Sequence, residues 1–153
     1  MYEILKFFHI LLMFTAVTMF VGGEFYAMHI ERSGDVRAIR RMYEAAKTLD
    51  MVGVVTVILG LILGIITAIN GNLDLTQTWL IIAYVLYVAI MALGIGYWTP
   101  RSKKVLAAAE ASPDDAMSPE LAGLLKTPGL ALIVFDLLLW VGIIFVMVIK
   151  PFS

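Results

Sequence analysis

The sequence predicts an all-α integral membrane protein in which four spanning helices form an antiparallel bundle. Hydrophobic residues make up 61 % of the 153 residues, against about 45–50 % in soluble domains. A soluble chain of this length has too little interior to bury so much apolar surface, whereas a bilayer can receive it. The apolar residues concentrate in four segments, and the basic residues lie almost entirely between them.

The four apolar segments have the length of membrane-spanning helices. They are residues 4–28, 51–69, 79–98 and 129–149. Each reaches or approaches the roughly 20 residues that a helix needs to cross the hydrocarbon core. Because the backbone within lipid must satisfy its own hydrogen bonds, the segments are predicted as helices rather than strands. We expect the whole chain, 1–153, to form one transmembrane domain.

The distribution of basic residues predicts the topology. Nine of the eleven Lys and Arg residues lie in two connections, 31–50 and 99–128, and the connection 70–78 contains none. Because loops rich in Lys and Arg stay in the cytoplasm, both basic connections are predicted to be cytoplasmic and both termini external. The chain is therefore expected in a bacterial cytoplasmic (inner) membrane as a multi-pass protein.

Both basic connections are predicted to contain helical extensions of the bundle. Gly34 ends the first helix, and Asp35 offers its side chain as the N-cap of the second. No helix breaker follows before Asn70, so the second helix is expected to begin in the cytoplasm and to run about 50 Å. Pro100 is expected to end or kink the third helix, and Pro119 to begin another short one.

Helical periodicity predicts which side chains face the interior of the bundle. The second span has a glycine stripe through Gly53, Gly60 and Gly64, and such stripes let helices approach closely. The inward stripe of the first span consists of His9, Met13, Ala16, Phe20, Gly23 and Ala27. The inward stripe of the third span consists of Tyr84, Tyr87, Met91, Gly94 and Trp98. The inward stripe of the fourth span consists of Gly129, Asp136, Trp140, Ile143 and Met147.

Three carboxyl groups, Glu24, Asp50 and Asp136, fall within or beside the spans. A charged side chain in the bilayer centre costs about 2.5–3.5 kcal/mol on insertion scales, so such residues usually have a function. We expect these carboxyls to be buried and to form a proton or cation site or to contact a polar ligand, with Glu24 and Asp136 at one level. Alternatively, each carboxyl is paired with a hydroxyl, an amide, or a basic residue such as Arg101 or Lys104.

A second candidate site lies nearer the external surface, where His9, Met13 and Met147 have similar depth. Imidazole and thioether sulfur are both axial ligands of haem iron, so these residues are compatible with a haem b site. Tyr84 lies in the same layer and would line the pocket. Alternatively, His9 makes a hydrogen bond within the bundle, and the methionines fill its core.

The composition and the absence of known motifs argue against several other classes of function. The chain has no Cys, which excludes disulfides and thiolate metal sites, and no other metal site is predicted. Its net charge of −1 shows no basic excess of the kind that nucleic-acid binding requires. Metalloprotease, phosphate-loop, nucleophile-elbow and dinucleotide motifs are absent, so no enzymatic activity is assigned.

Several segments resemble an uncharacterised bacterial family of small four-span integral membrane proteins. These segments are LKFFHILL in the first span, TWLIIAYVLY in the third, WTPRSKK after it, and VMVIKPF near the end. More distantly, His9 and His29 at the two ends of the first helix resemble the layout of HemJ protoporphyrinogen oxidases and CopD copper-resistance domains. That resemblance implies haem or porphyrin chemistry at His9. The chain lacks an Arg before Arg32, where HemJ proteins have one, so the oxidase activity is not carried over.

Three hypotheses of function follow. The leading one is a haem-binding or redox-accessory membrane protein with His9 as an axial ligand. The second is a proton or cation transport module that uses the three carboxyls. The third is a non-catalytic subunit, whose glycine stripes dock it into a homo-oligomer or a larger membrane complex. In each case the lipid bilayer is the expected surrounding partner.

Overall fold

The computed structural model describes residues 1–126 and 130–151, and the regular elements within these ranges are helices. They are α1 (Tyr2–Ser33), α2 (Val36–Asn70), α3 (Thr78–Leu93), α4 (Thr99–Ala111), α5 (Pro119–Leu125) and α6 (Leu130–Ile149). Four stretches are long and apolar enough to cross a membrane, namely α1, α2, the continuous rod of α3 and α4, and α6. The predicted all-α, four-span class is therefore confirmed. The predicted start of the fourth span at residue 129 lies outside the described residues.

The third spanning helix continues past Pro100 instead of ending there. Between α3 and α4 the chain makes a π-helical turn over Gly94–Trp98, in which the Thr99 N–H bonds to the Gly94 carbonyl. Proline lacks an N–H, and its ring clashes with the carbonyl of the preceding turn of an α-helix. The wider π turn directly before Pro100 avoids that conflict, and such turns often occur at functional sites.

The turn between α1 and α2 forms as the sequence predicts. Gly34 adopts the left-handed conformation with φ 71°, which glycine reaches without strain. The Asp35 carboxylate accepts hydrogen bonds from the N–H groups of Arg37 at 2.9 Å and Ala38 at 3.1 Å, so it caps α2. This turn sends α2 back along α1.

The glycine stripe of α2 receives the predicted inward stripe of α1. The contacts pair His9 with Gly64, Met13 with Gly60, and Phe20 with Gly53. A β-carbon added to Gly64 would lie 2.8 Å from Cε1 of His9, so this close approach requires glycine. Between these pairs Ala16 is completely buried, and it belongs to the same cluster as Val57. The prediction that these faces point inward is confirmed for the glycine stripe and for His9, Met13, Ala16 and Phe20. It is wrong for Gly23, which is exposed and has no atom within 4 Å of where a β-carbon would stand.

The other spanning helices pack as a second pair, α3 against α6, and the two pairs meet in a shared core. This core contains Ala16, Val57, Ile90, Trp140 and Ile143. At its edge the rings of Phe20 on α1 and Trp140 on α6 stack, with their centroids 5.8 Å apart. The stacked pair sets the level at which α1 and α6 face each other.

The basic connections fold into a separate helical layer at one end of the bundle. This basic layer consists of the first turns of α2 with α4 and α5, and its core includes Ile39, Val105 and Leu121. The Arg40 guanidinium donates to the Ala109 carbonyl at 2.9 Å and forms an ion pair with Asp114 at 3.0 Å. The predicted helical extensions are confirmed, while the membrane side on which they lie stays a prediction.

A belt of exposed apolar side chains surrounds the rest of the bundle. Towards the basic layer it ends at Tyr26, Leu49, Ile95 and Val134, one on each spanning helix. Along the third span the 20 residues from Trp79 to Trp98 rise about 28 Å, which matches a hydrocarbon core of about 30 Å. With 35 residues, α2 is longer than the hydrocarbon core is thick, and its first turns, which extend beyond the core, form part of the basic layer.

A paired carboxyl site at the edge of the membrane span

The carboxyl groups of Glu24 on α1 and Asp136 on α6 meet inside the bundle. They lie within side-chain hydrogen-bonding reach of each other. Only 3 % of the Asp136 surface is exposed, and Glu24 is partly buried. Each carboxyl lies one helical turn from a member of the Phe20–Trp140 stack, on the side of the basic layer. The stack therefore brings the two acids to one level, just inside the end of the apolar belt.

Indole N–H groups surround the acid pair. Trp98 and Trp140 both place an N–H near the Asp136 carboxyl. Within the described ranges, the buried Nε1 of Trp98 makes no hydrogen bond of ordinary geometry. Trp98 is the last residue of the π-helical turn, so this turn directs the indole towards the pair. A carboxylate that rotates towards Trp98 would gain a donor that is already in place.

A second polar cluster lies directly below the pair, towards the basic layer. The Arg101 guanidinium forms an ion pair with Glu31 at 3.1 Å and donates to the Tyr43 hydroxyl at 2.9 Å. The Tyr43 hydroxyl in turn donates to the same Glu31 oxygen. The side chains of Arg101 and Glu31 are only 10 % and 13 % exposed. The charge of Arg101 also acts on Glu24, so the two clusters are electrostatically connected.

Sequence reasoning missed this triad of Glu31, Tyr43 and Arg101. It considered Arg101 as a partner for Glu24 or Asp136, but Arg101 forms its ion pair with Glu31 at the end of α1. Glu31 and Tyr43 lie on opposite sides of the α1–α2 turn, and they face each other only because that turn is tight. Their spacing carries no motif from which the contact could have been predicted.

A narrow crevice between α1 and α6 reaches the acid pair from the side of the bundle. It is lined by Val21, Glu24, Phe25, Met28, Ile133 and Leu137. Glu24 is its sole polar lining residue among those that the structure describes, so the crevice offers an apolar approach to one carboxyl of the pair.

The chain matches one known protein family over nearly its whole length. The family described as "Predicted integral membrane protein (DUF2269)" matches residues 3–151. The chain belongs to this family. No curated protein and no solved structure matches it. Membership in DUF2269 agrees with the four spans and with contact to the lipid bilayer. The distant resemblance to HemJ and CopD finds no support in these comparisons, and a bacterial inner membrane stays a prediction.

In this DUF2269 chain the third predicted carboxyl, Asp50, does not join the pair. Asp50 is exposed on the surface of α2, so the prediction that it is buried is wrong. It precedes the buried Gly53 by three residues, and at about 100° per residue it lies about 60° around the helix from the glycine stripe. That rotation is enough to carry its side chain out of the contact with α1.

The four residues predicted for haem lie in two different packing environments. On the α1–α2 interface the His9 imidazole donates through Nδ1 to the Gly60 carbonyl at 2.7 Å, and Met13 packs on the same glycine. Tyr84 and Met147 instead pack in a cluster around Trp79, between α3 and α6. Close packing accounts for all four positions, and haem stays a prediction.

Proposed function

We propose that this chain is a proton-coupled membrane module in which the Glu24–Asp136 pair carries the proton. The observation that supports this is the meeting of two carboxyls, from two different spanning helices, inside the apolar belt. Two carboxylates within hydrogen-bonding reach of each other repel strongly in a medium of low dielectric constant. A single shared proton removes one charge and supplies the hydrogen bond between the oxygens.

The surroundings of the pair favour a proton over a metal cation. Hard cations are held by several oxygen ligands. Here the groups near Asp136, apart from Glu24, are the indole N–H donors of Trp98 and Trp140, and the positive charge of Arg101 acts on Glu24. Such donors stabilise a carboxylate after its proton leaves, and they repel a bound cation.

The triad below the pair offers a route for the proton towards water. Glu31 is a carboxylate that accepts bonds from Arg101 and Tyr43, and it lies where α1 leaves the apolar belt. The guanidinium of Arg101 keeps its own protons, so its part is electrostatic. It would lower the energy of the ionised pair, and thereby favour release on the side of the basic layer. The haem hypothesis has no comparable supporting geometry.

Proton movement in liposomes tests this proposal. The purified chain is reconstituted with a pH-sensitive dye inside the vesicles, and a potassium gradient with valinomycin supplies the driving potential. We expect the unmodified protein to acidify the lumen faster than empty vesicles do. Asp136→Asn and Glu24→Gln keep the shape of the side chains but remove one titratable group each, and should reduce the rate at least tenfold.

Asp50→Asn is the matched control, because it removes an exposed carboxyl of the same chain. It should leave the rate unchanged. Infrared spectroscopy of the same samples should show the C=O band of a protonated carboxyl, which disappears in Asp136→Asn. Equal rates in all three variants and in the unmodified protein, with no such band, would overturn the proposal.

A further inference from the structure

An open cleft lies beside the basic layer, at the level where the third spanning helix leaves the apolar belt. It is lined by Gly96, Tyr97, Pro100, Arg101, Lys104 and Leu124. Its volume is about 220 Å³, whereas one water molecule occupies about 30 Å³ in the liquid. The cleft therefore has room for a phosphate group and is open towards the outside of the bundle.

The net positive charge of the cleft comes mainly from Lys104, because Glu31 balances the charge of Arg101. Among the described residues that line it, none is acidic, while Arg101 and Lys104 are cations. Arg101 is held in place by its ion pair with Glu31, so its guanidinium is already oriented at the cleft wall. Lys104 lies one turn further along α4, is exposed, and forms no ion pair with any residue in the described part of the chain.

The position of the cleft relative to the apolar belt matches a lipid headgroup. Ile95, in the π-helical turn, is the last exposed large apolar residue of the third span, and Trp98 ends that span about one turn further on. From Trp98 a rise of about 1.5 Å per residue places Arg101 and Lys104 about 5 and 9 Å further on. Since the polar headgroup region is about 5–8 Å deep on each side, Arg101 lies within it and Lys104 at its outer edge. Gly96 has no atom within 4 Å of where a β-carbon would stand, which leaves the helix surface bare beside Tyr97.

We propose that this cleft binds an anionic phospholipid. Its phosphate would contact Lys104 and Arg101, and its acyl chains would descend along the bare surface at Gly96 into the bilayer. The tyrosine ring of Tyr97 would cover the glycerol region, as aromatic side chains do at the membrane interface. This proposal does not rest on the proton chemistry of the carboxyl pair, although Arg101 takes part in both sites.

Lipid binding to the purified full-length chain tests the proposal. Native mass spectrometry with added phosphatidylglycerol or phosphatidylcholine measures the dissociation constant of each lipid. We expect phosphatidylglycerol to bind more tightly. Lys104→Gln should weaken its binding about fivefold, the effect of one cation near a headgroup. Lys103→Gln is the matched control, because Lys103 is the adjacent exposed lysine outside the cleft.

A second variant separates shape from charge. Gly96→Leu leaves every charge in place and fills the bare surface, so it should also weaken phosphatidylglycerol binding. Circular dichroism of each variant checks that the helices are intact. Equal losses in Lys103→Gln and Lys104→Gln, or equal binding of the two lipids, would overturn the proposal. Displacement of phosphatidylglycerol by millimolar inorganic phosphate would also overturn it, in favour of a soluble phosphate compound.

Discussion

Arg101 at the start of α4 and Glu31 at the end of α1 form an ion pair, with 3.1 Å between Nη2 and Oε1, that is almost removed from solvent. The Tyr43 hydroxyl joins them, so α1, α2 and α4 are tied together at one point. Removing one partner of a buried pair leaves an uncompensated charge, which costs more than the pair itself contributes. The triad is therefore where the basic layer and the spanning bundle depend on each other.

Tyr43→Phe should destabilise the protein by about 1–3 kcal/mol, because both charged partners lose a hydrogen bond while the ring remains. Equilibrium unfolding in mixed detergent micelles measures the change. Tyr26→Phe is the control, since Tyr26 is 59 % exposed, and it should have no measurable effect. Equal changes in the two variants would show that the Tyr43 hydroxyl contributes nothing.

Gly64→Ala should destabilise the α1–α2 pair by about 1–3 kcal/mol, because the new methyl group meets the His9 ring at 2.8 Å. Gly23→Ala is the matched change on α1, where no atom lies within 4 Å. It should be neutral or stabilising by up to about 1 kcal/mol through helix propensity. Thermal unfolding of both variants in one detergent compares them. A stable Gly64→Ala protein would contradict the observed close approach.

His9→Phe should cost about 1 kcal/mol, because it keeps a ring over Gly64 but removes the Nδ1 donor to the Gly60 carbonyl. The same unfolding assay measures this loss. Visible absorption spectra of both proteins, expressed in haem-replete cells, add an independent result. A Soret band that shifts on reduction and disappears in His9→Phe would show that the imidazole binds haem iron.

Dicyclohexylcarbodiimide should modify Glu24, because it partitions into apolar crevices and reacts with protonated carboxyls. The crevice between α1 and α6 leads to Glu24, whereas Asp136 is buried behind it. Peptide mass spectrometry should locate the adduct on Glu24, and Glu24→Gln should abolish it. Modification of Asp50 alone would contradict both the access route and the shared proton.

The sequence predicted correctly those features that depend on interactions between residues close together in the chain. The apolar segments predict the spans because each helix satisfies its own backbone within lipid. Gly34 and Asp35 predict the α1–α2 turn because a left-handed residue followed by a capping carboxylate acts over four residues. The facing stripes of α1 and α2 also followed from periodicity, since side chains seven residues apart share a helix face.

By itself, then, the sequence determined the number of spans, the helical layer at the basic end and the surfaces through which α1 and α2 meet. Only the tertiary structure decided which polar groups meet. Asp136 is brought to Glu24 by a helix more than a hundred residues away, and Asp50 is excluded by a rotation of about 60°. Arg101 forms its ion pair with Glu31 because the π-helical turn makes α3 and α4 one continuous helix past Pro100. Contacts between distant helices depend on rotation and register, and residue spacing within one helix does not encode these.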